Sequence, residues 1–371
     1  MSEMQSCRYL TSYISFLEDK IGFCCRAASC HQPIRPLMSY KDTAEKTAEA
    51  FLARRHALIS ELSGNIPLDK AQGCIGCKLL KPCQNDSRKQ LSHIMYAFYP
   101  SPCQARCIYC AHRGHRLYGP GDMKLNFKEA AASPIAPMIA GIIDYLKKQD
   151  HFSPNTTASV GSGEITIHPH KELLINSLSG IKSAFFTNAI VFDEQIAHHM
   201  RKYKSFINVS IDSGTSGTYR TIKGGDWFRQ VVRNLYKYRD YGNIRLRYNV
   251  IPGINDSDDD INGVVDLLKS IGMDYLFAAQ ETGMPLNECM PGLIKIYNAC
   301  EFSGKKFTGV FPEVFTADLV QEHAKKFDAN VAEAHRQHLY QKYKNEYVND
   351  YFAYQDYVHS FEHNKSSKGV Y

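Results

Sequence analysis

The sequence lacks long apolar runs and biased segments. No uncharged apolar stretch reaches the roughly 18 residues that a membrane-spanning helix needs, so no membrane span is expected. The opening residues, MSEMQSCRYLTSYISFLEDK, contain neither a long apolar run nor a small-residue cleavage site, so no secretory signal is expected. Internal repeats and low-complexity blocks are also absent. A cytoplasmic location is therefore expected.

Charge of one sign is only in small excess. The net charge is +6 over 371 residues, and the basic residues are scattered. This balance allows an anionic substrate but does not indicate a surface that binds duplex nucleic acid, so a nucleic-acid partner is not expected. The composition, 44% hydrophobic and 22% charged, is that of a globular chain that can bury a core. The length suits one large domain with appendages, or two domains.

Cysteine is nearly missing from the last two-thirds of the chain. Of twelve cysteines, only Cys289 and Cys300 lie beyond residue 110. These two and Cys7 have the surroundings of ordinary thiols. Disulfides are rare in the cytosol, so the remaining cysteines favour metal ligation.

From about residue 91 the sequence alternates between strand-like and helix-like runs. The predicted strands are 92–99, 157–164, 183–189, 206–212, 244–251 and 274–280. The predicted helices of this core are 134–149, 172–180, 193–203, 227–240 and 258–272, and one further helix, 42–62, is predicted before it. Strands joined by crossover helices lie parallel, so six such units predict either an open doubly wound sheet or a barrel open at one side.

Three regions are predicted. Residues 1–90 form a cysteine-rich α/irregular module, 91–285 the βα core and 286–371 a C-terminal helical extension. Within the extension, 316–347 indicates one or two polar amphipathic helices, which we expect to form a cap that packs on the core.

The segment SPCQARCIYCAH contains Cys103, Cys107 and Cys110 in one short loop after the first core strand. A closed zinc site needs four protein ligands, and His112 or His115 would have to supply the fourth. Three thiolates on a cubane iron–sulfur cluster instead leave one iron open to another ligand. Both alternatives fit the spacing. Ligand sites of parallel α/β folds gather at the carboxyl ends of the strands, where this loop lies.

CQARCIYC resembles the CxxxCxxC loop of radical S-adenosylmethionine (radical SAM) enzymes, including the aromatic Tyr109 before the last cysteine. The resemblance implies a partial (β/α)6 TIM-type barrel. It also implies a 4Fe–4S cluster on the three cysteines, whose open iron binds S-adenosylmethionine. Such enzymes cleave the bound S-adenosylmethionine reductively, and the resulting 5′-deoxyadenosyl radical takes a hydrogen atom from the substrate. A low-potential electron donor such as a flavodoxin or ferredoxin is implied.

Further motifs of this family follow in order over residues 92–281. VGSGEITIHP resembles the GGE motif, with Ser162 in place of one glycine. Gly163 would let the backbone approach closely, and Glu164 would bind the ammonium group of the methionine moiety. The alternative for Glu164 is a carboxylate in a surface turn.

The later strands carry the remaining candidates for cofactor binding. VSIDSGTSGTYRTIKG resembles the ribose motif, in which Ser210 and Asp212 would share one face of a strand. The alternative for Asp212 is a cap on the following turn. Asn188 ends the third strand, and Asn249 with Ile251 matches the region that contacts adenine.

The N-terminal cysteines resemble the auxiliary-cluster modules of the SPASM type. The resemblance rests on the order of a CC pair, a helix and CxxC, and on the spacing of Cys74, Cys77 and Cys83. It implies a second iron–sulfur cluster held by Cys25, Cys74 and Cys77, with Cys83, Cys24 or Cys30 as fourth ligand. These modules usually follow the barrel, and Ser87 stands where a further cysteine is expected. A structural zinc site is the alternative.

The function expected is that of a radical SAM enzyme that modifies a peptide or protein side chain. A carbohydrate or cell-surface polysaccharide precursor is the alternative substrate. An alternative of another class is a non-catalytic metal-binding scaffold or redox sensor. Glu164, Ser210 and Asp212 favour the enzyme, because a scaffold needs no cofactor-binding polar groups at consecutive strand ends. The CC and CxxC spacings do not fit a methylthiotransferase.

Overall fold

The computed structural model describes most of the chain between residues 37 and 331. The described residues are 5–6, 12–17, 19–23, 37–62, 81–82, 90–96, 101–110, 127–161, 163–281, 284–309, 317–331, 333–334 and 337. Among them, no helix has the length and apolar character needed to cross a membrane.

The described helices and strands alternate along the core, as predicted. The strands are β1 Gln5–Ser6, β2 Tyr13–Phe16, β3 Lys20–Gly22, β4 Leu37–Ser39, β5 Lys81–Pro82, β6 Leu91–Tyr96, β7 Phe152–Val160, β8 Lys182–Thr187, β9 Phe206–Ser210, β10 Asn243–Val250, β11 Tyr275–Gln280 and β12 Lys306–Gly309. The helices are α1 Ala44–Leu62, α2 Phe127–Ala132, α3 Ile135–Lys148, α4 Lys171–Ser177, α5 Glu194–Tyr203, α6 Ser216–Lys223, α7 Phe228–Arg239, α8 Asp258–Ser270, α9 Leu286–Phe302 and α10 Ala317–Ala324.

The chain divides into two compact units. The first contains Met1–Cys103, Leu125–Thr187 and Asp193–Ile207, and the second contains Gln104–Lys124, Asn188–Phe192 and Asn208–Tyr371. The predicted boundaries near residues 90 and 285 do not coincide with this division and stay predictions.

In the first unit, six strands lie in the order β8-β7-β6-β2-β3-β4. The pairs from β8 to β2 are parallel, and β3 pairs antiparallel with both of its neighbours. On β6 the buried Ile94 follows the half-buried His93, and on β7 the buried Ala158 follows the half-buried Thr157. Helix α3 buries Ile139 and Ile142 on one face. This is the pattern of strands that pack helices on one side.

The N-terminal region supplies five strands that were not predicted, and three of them, β2 to β4, join the sheet of the first unit. Strand β2 pairs with β6, and β3 and β4 follow it, so this part of the chain is not only helical and irregular. Each of these strands has three or four residues, too few to show a clear alternation.

In the second unit, the strands lie in the order β12-β11-β10-β9, and β10, β11 and β12 are parallel. Helix α8 buries Ile261, Val264 and Leu268 at helical spacing. Helix α9 and strand β12 lie in the region that was predicted only as a helical extension. Gly292 of α9 lies against β10, where a Cβ atom would stand 2.7 Å from Val250 Cγ1.

The described chain is therefore a mixed α/β fold with parallel strands joined through helices. This confirms the predicted fold class of the partial (β/α)6 TIM type.

Candidate functional site

The cysteine loop, residues 101–110, follows strand β6 after four residues outside the described set. Cys103, Cys107 and Cys110 are all half-buried and form no disulfide. The amide of Cys110 donates a hydrogen bond to the carbonyl of Cys107 at 3.0 Å, which closes a tight turn around Tyr109. Cys103 is the last residue of its segment in the first unit, and Cys107 and Cys110 belong to the second.

In the first unit, the start of this loop is hydrogen-bonded to the GE motif, which consists of Gly163 and Glu164. The amide of Glu164 donates to the carbonyl of Pro102 at 2.8 Å. Gly163 has a φ of +56°, and a Cβ atom there would lie 2.4 Å from the carbonyl oxygen of Ser101. No side chain fits at that distance, so the backbone at Gly163 packs directly against Ser101.

Glu164 is fully buried, and its carboxylate is held by hydroxyl groups. Its Oε1 accepts hydrogen bonds from the amide and hydroxyl of Thr166, at 3.2 and 2.9 Å, and from the hydroxyl of Thr187, at 2.7 Å. The first of these bonds caps the 3-10 turn Ile165–Ile167. Glu164 is thus not the carboxylate of a surface turn. A buried carboxylate with fixed donors on one oxygen is held in one orientation.

In the second unit, Tyr109 is bonded to Asp212 and Lys223. The ammonium group of Lys223 donates to the carboxylate Oδ2 of Asp212 and, at 2.7 Å, to the hydroxyl of Tyr109. The hydroxyl of Tyr109 donates to the same Oδ2. Asp212 and Lys223 are 0% and 1% exposed, so this is an ion pair removed from water.

The same loop is bonded to the end of helix α6. The amides of Arg106 and Ile108 donate to the carbonyls of Lys223 and Ile222, at 2.8 and 3.0 Å. Carbonyls in the last turn of a helix have no donor within that helix. The loop therefore supplies donors that the helix end requires, and in return the helix end fixes both sides of Cys107.

Burial raises the pKa of Tyr109 well above its ordinary value, and the negative charges of Asp212 and Cys107 raise it further. A hydrogen bond from the side chain of Asn249 acts in the opposite direction. Tyr109 therefore keeps its proton and donates a hydrogen bond to Asp212.

Ser210 and Asp212 do not share a strand face. Strand β9 ends at the half-buried Ser210, and Asp212 has a left-handed φ of +53°. Asp212 does not cap the turn that follows it in the described structure. Asp260 does so instead, because its Oδ1 accepts from the amides of Gly214 and Thr215 at 3.2 and 3.0 Å.

Asn249 also lies beside these groups, and Asn188 contacts the cysteine loop. The amide of Asn249 donates to Oδ1 of Asp212 at 2.7 Å. The side chain of Asn188 accepts from Gln104 at 3.3 Å, which links it to the cysteine loop. Ile251, by contrast, is 1% exposed, so its side chain packs in the core. The second unit thus brings together Tyr109, Asp212 and Asn249 from the predicted set, and it links Asn188 to the loop through Gln104.

Residues 101–268 match the family model described as the Radical SAM superfamily. This segment is a radical SAM domain. No curated protein sequence matches the chain significantly.

Several solved structures resemble the chain over part of its length. A structure of TYW1 with a lysine-pyruvate adduct bound is 19% identical and has a TM-score of 0.36, over 58% of this chain and 72% of TYW1. SuiB of Streptococcus suis bound to S-adenosylmethionine is 12% identical with a TM-score of 0.41, over 76% of this chain and 69% of SuiB. The enzyme anSMEcpe with bound AdoMet is 18% identical with a TM-score of 0.40, over 57% of this chain and 59% of anSMEcpe.

The donor set of the radical SAM domain suits an iron–sulfur cluster. Cysteine thiolates are the usual ligands of such clusters, and the three loop cysteines are partly accessible. Within the described ranges, no group of three or more His, Cys, Asp or Glu side chains is arranged to hold a single metal ion. The narrow space at Gly163 admits only backbone beside Ser101, which keeps the cysteine loop and the GE motif in register.

Several predicted ligands, and one residue of the GGE-like motif, lie outside the described residues. They are Cys25, Cys74, Cys77 and Cys83 of the auxiliary site, with Cys24, Cys30, Ser162, His112 and His115. Their roles stay predictions.

Sequence reasoning missed three residues of the site: Lys223, Thr187 and Asp260. Lys223 lies in the quoted TYRTIKG segment, four residues after the buried Tyr219 and next to the buried Ile222. That spacing places it on the buried face of α6, which a lysine occupies only with a partner. Asp260 gives no comparable signal, because it stands in a run of three aspartates.

Proposed function

We propose that the chain is a radical SAM enzyme that modifies a peptide or protein side chain. Cys103, Cys107 and Cys110 would hold a 4Fe–4S cluster, and Glu164 with Ser210 would bind S-adenosylmethionine. When bound, the cluster and S-adenosylmethionine would supply reductive cleavage to a 5′-deoxyadenosyl radical. This radical would remove a hydrogen atom from the substrate. The match of residues 101–268 to the radical SAM family carries this proposal.

The protein's own residues hold and orient the reactants. Glu164 offers a fixed, buried carboxylate, which suits the ammonium group of the methionine moiety. The hydrogen bond from its amide to the carbonyl of Pro102 keeps it next to the start of the cysteine loop. Asp212 is assigned a different task from the predicted ribose contact. Its carboxylate already binds Lys223, Tyr109 and the amide of Asn249.

The N-terminal cysteines support the choice of a peptide substrate. Their spacing resembles the SPASM type, whose members modify peptides and proteins. We assign Cys25, Cys74, Cys77 and Cys83 to a second cluster, with zinc as the alternative metal. A low-potential donor such as a ferredoxin or flavodoxin would supply the electron, and the proposed location is the cytoplasm, where thiols stay reduced.

The test is formation of 5′-deoxyadenosine. The protein is reconstituted anaerobically with iron and sulfide, then incubated with dithionite and S-adenosylmethionine. We expect 5′-deoxyadenosine from the wild type and none from Cys107→Ala. Equal amounts from both proteins, or none from either, would contradict the enzyme and favour a metal-binding scaffold.

A further inference from the structure

Lys223 contacts the cysteine loop through both its backbone and its side chain. Its carbonyl accepts from the amide of Arg106 at 2.8 Å, and its ammonium group donates to the hydroxyl of Tyr109 at 2.7 Å. The ammonium nitrogen also lies 5.1 Å from the centroid of the Tyr109 ring. Cys107 is between these two attachment points, and Cys110 directly follows the second. One residue thus limits the movement of both cysteines.

The position of Lys223 is costly for folding. Its side chain is 1% exposed, so the ammonium group has lost its hydration, and Asp212 beside it is equally buried. Apolar side chains in place of both Lys223 and Asp212 would fill the same space without that cost, since replacing a whole buried ion pair is often neutral or stabilising. The buried pair is therefore weak evidence for a purely stabilising role.

Asp212 is held by elements outside the loop. The amide of Asn249 donates to its Oδ1 at 2.7 Å, and the side chain of Asn255 donates to its carbonyl at 2.8 Å. Asp212 is therefore also held from outside the cysteine loop. Lys223 and Tyr109 connect the loop to this fixed carboxylate.

We propose that Lys223 is a positioning residue, which holds Tyr109 on Asp212 and thereby fixes Cys107 and Cys110 for cluster binding. The inference rests on the proposed function, because it assumes that these cysteines bind a cluster. Groups that do not bind the metal but hydrogen-bond to its ligands and orient them contribute substantially to metal affinity. Lys223 does this for the loop as a whole, through Tyr109 and the backbone at Arg106.

The experiment measures how fast reconstituted full-length protein loses iron to a chelator, anaerobically and well below its unfolding temperature. The iron that belongs to the loop is the part missing from a Cys103/Cys107/Cys110→Ala variant. Lys223→Met is expected to lose this iron about 10- to 100-fold faster than the wild type. Tyr109→Phe keeps the ion pair but removes the hydroxyl, so an intermediate rate is expected.

Lys295→Met is the matched control. Lys295 is also mostly buried and pairs with an aspartate, Asp258, at 2.8 Å, but it lies on helix α9. It should lose iron at the wild-type rate. The double variant Lys223→Met/Asp212→Asn removes both charges and leaves no unpaired buried charge. It replaces Lys223→Met in the iron-loss measurement if Lys223→Met alone does not fold.

A positioning role also predicts a spectroscopic change. The electron paramagnetic resonance signal of the reduced cluster should broaden in the Lys223 and Tyr109 variants while their circular dichroism is unchanged. If folded Lys223→Met, or the double variant, loses iron at the wild-type rate and shows the wild-type signal shape, this inference is wrong. The proposed function is not affected by that result. If the triple cysteine variant holds as much iron as the wild type, the proposed function fails, and the inference fails with it.

Discussion

At the scale of single residues, Gly163 meets two constraints that a side chain cannot. Its φ is +56°, and a Cβ atom would stand 2.4 Å from Ser101 O. We expect Gly163→Ala to lower the free energy of unfolding by about 2–5 kcal/mol, from left-handed strain and overpacking together. Denaturant unfolding measures this loss.

Gly180 is the matched control for Gly163. Its φ is +83°, but nothing lies within 4 Å of its Cβ position. Gly180→Ala should therefore cost only the backbone strain, about 1 kcal/mol. Equal losses for the two variants would show that contact with Ser101 contributes nothing.

Glu164 allows a test that separates charge from packing. Glu164→Gln keeps an oxygen that can accept from Thr166 and Thr187, so the unfolding midpoint should change little. It removes the charge assigned to the S-adenosylmethionine ammonium group, so affinity should fall about tenfold or more. Anaerobic equilibrium dialysis with S-adenosylmethionine measures this.

Thr187→Val provides the comparison for Glu164→Gln, since it removes one donor to the carboxylate and leaves its charge. We expect a lower unfolding midpoint and a smaller loss of affinity. An affinity in Glu164→Gln equal to that of the wild type would remove Glu164 from the cofactor site.

At the scale of elements, Asp260 fixes the beginning of helix α6. Its carboxylate accepts from Gly214, from Thr215 and, at 2.6 Å, from the hydroxyl of Thr218. Asp260→Ala leaves these donors without their acceptor, which should cost about 3 kcal/mol in the free energy of unfolding. The exposed Asp259 stands beside Asp260 in helix α8. Asp259→Ala should change the free energy of unfolding by less than about 0.5 kcal/mol. Similar losses in both would mean that helix-end charge, rather than the buried bonds, is responsible.

Two histidines connect elements of the first unit, the half-buried His93 and the buried His199. His93 on β6 lies 2.8 Å from the Thr157 hydroxyl of β7, and His199 on α5 lies 3.1 Å from Ser205. Burial lowers the pKa of each to about 4, from an ordinary value of 6.5. Between these values the unfolded chain binds protons that the folded chain does not, so stability falls as the pH decreases from 6.5 towards 4.

This pH dependence is checked by denaturant unfolding at pH 7 and pH 5. His93→Gln/His199→Gln should lose less stability between these pH values than the wild type loses. The exposed His198 serves as control, and His198→Gln should keep the wild-type dependence. A double variant with an unchanged dependence would show that these two histidines are not responsible.

At the scale of the whole molecule, metal content tests the assignment of the N-terminal cysteines. A Cys103/Cys107/Cys110→Ala variant should retain about four iron atoms per chain if a second cubane cluster is present. Iron and zinc are measured together after reconstitution. Zinc in place of iron would show that the N-terminal site is structural.

Much of the fold was predictable because it depends on local patterns. Each of the six predicted core strands matches one of β6 to β11, with ends that differ by up to five residues. Strand alternation and helix periodicity extend over these segments, so the sequence displays them directly. The short strands β2 to β4 and helix α9, with Pro291 inside it, were missed because they do not show a clear period.

The candidate site was predictable only in part. Cysteine spacing, Gly163, Glu164 and Asp212 can be recognised from the sequence, because each stands in a short motif. The partners of these residues cannot. Lys223 lies 114 residues after Tyr109, and Asn249 lies 37 residues after Asp212. No local pattern specifies which distant group a buried carboxylate binds.

The sequence by itself determined the order of the elements and the residue types of the three-cysteine loop, since both follow from spacing along the chain. The tertiary structure alone decided that Asp212 binds Lys223 and Tyr109 and that Asp260 caps the turn after it. The physical reason is that buried charges must find partners, and those partners are chosen by the packing of strands and helices that lie far apart in sequence.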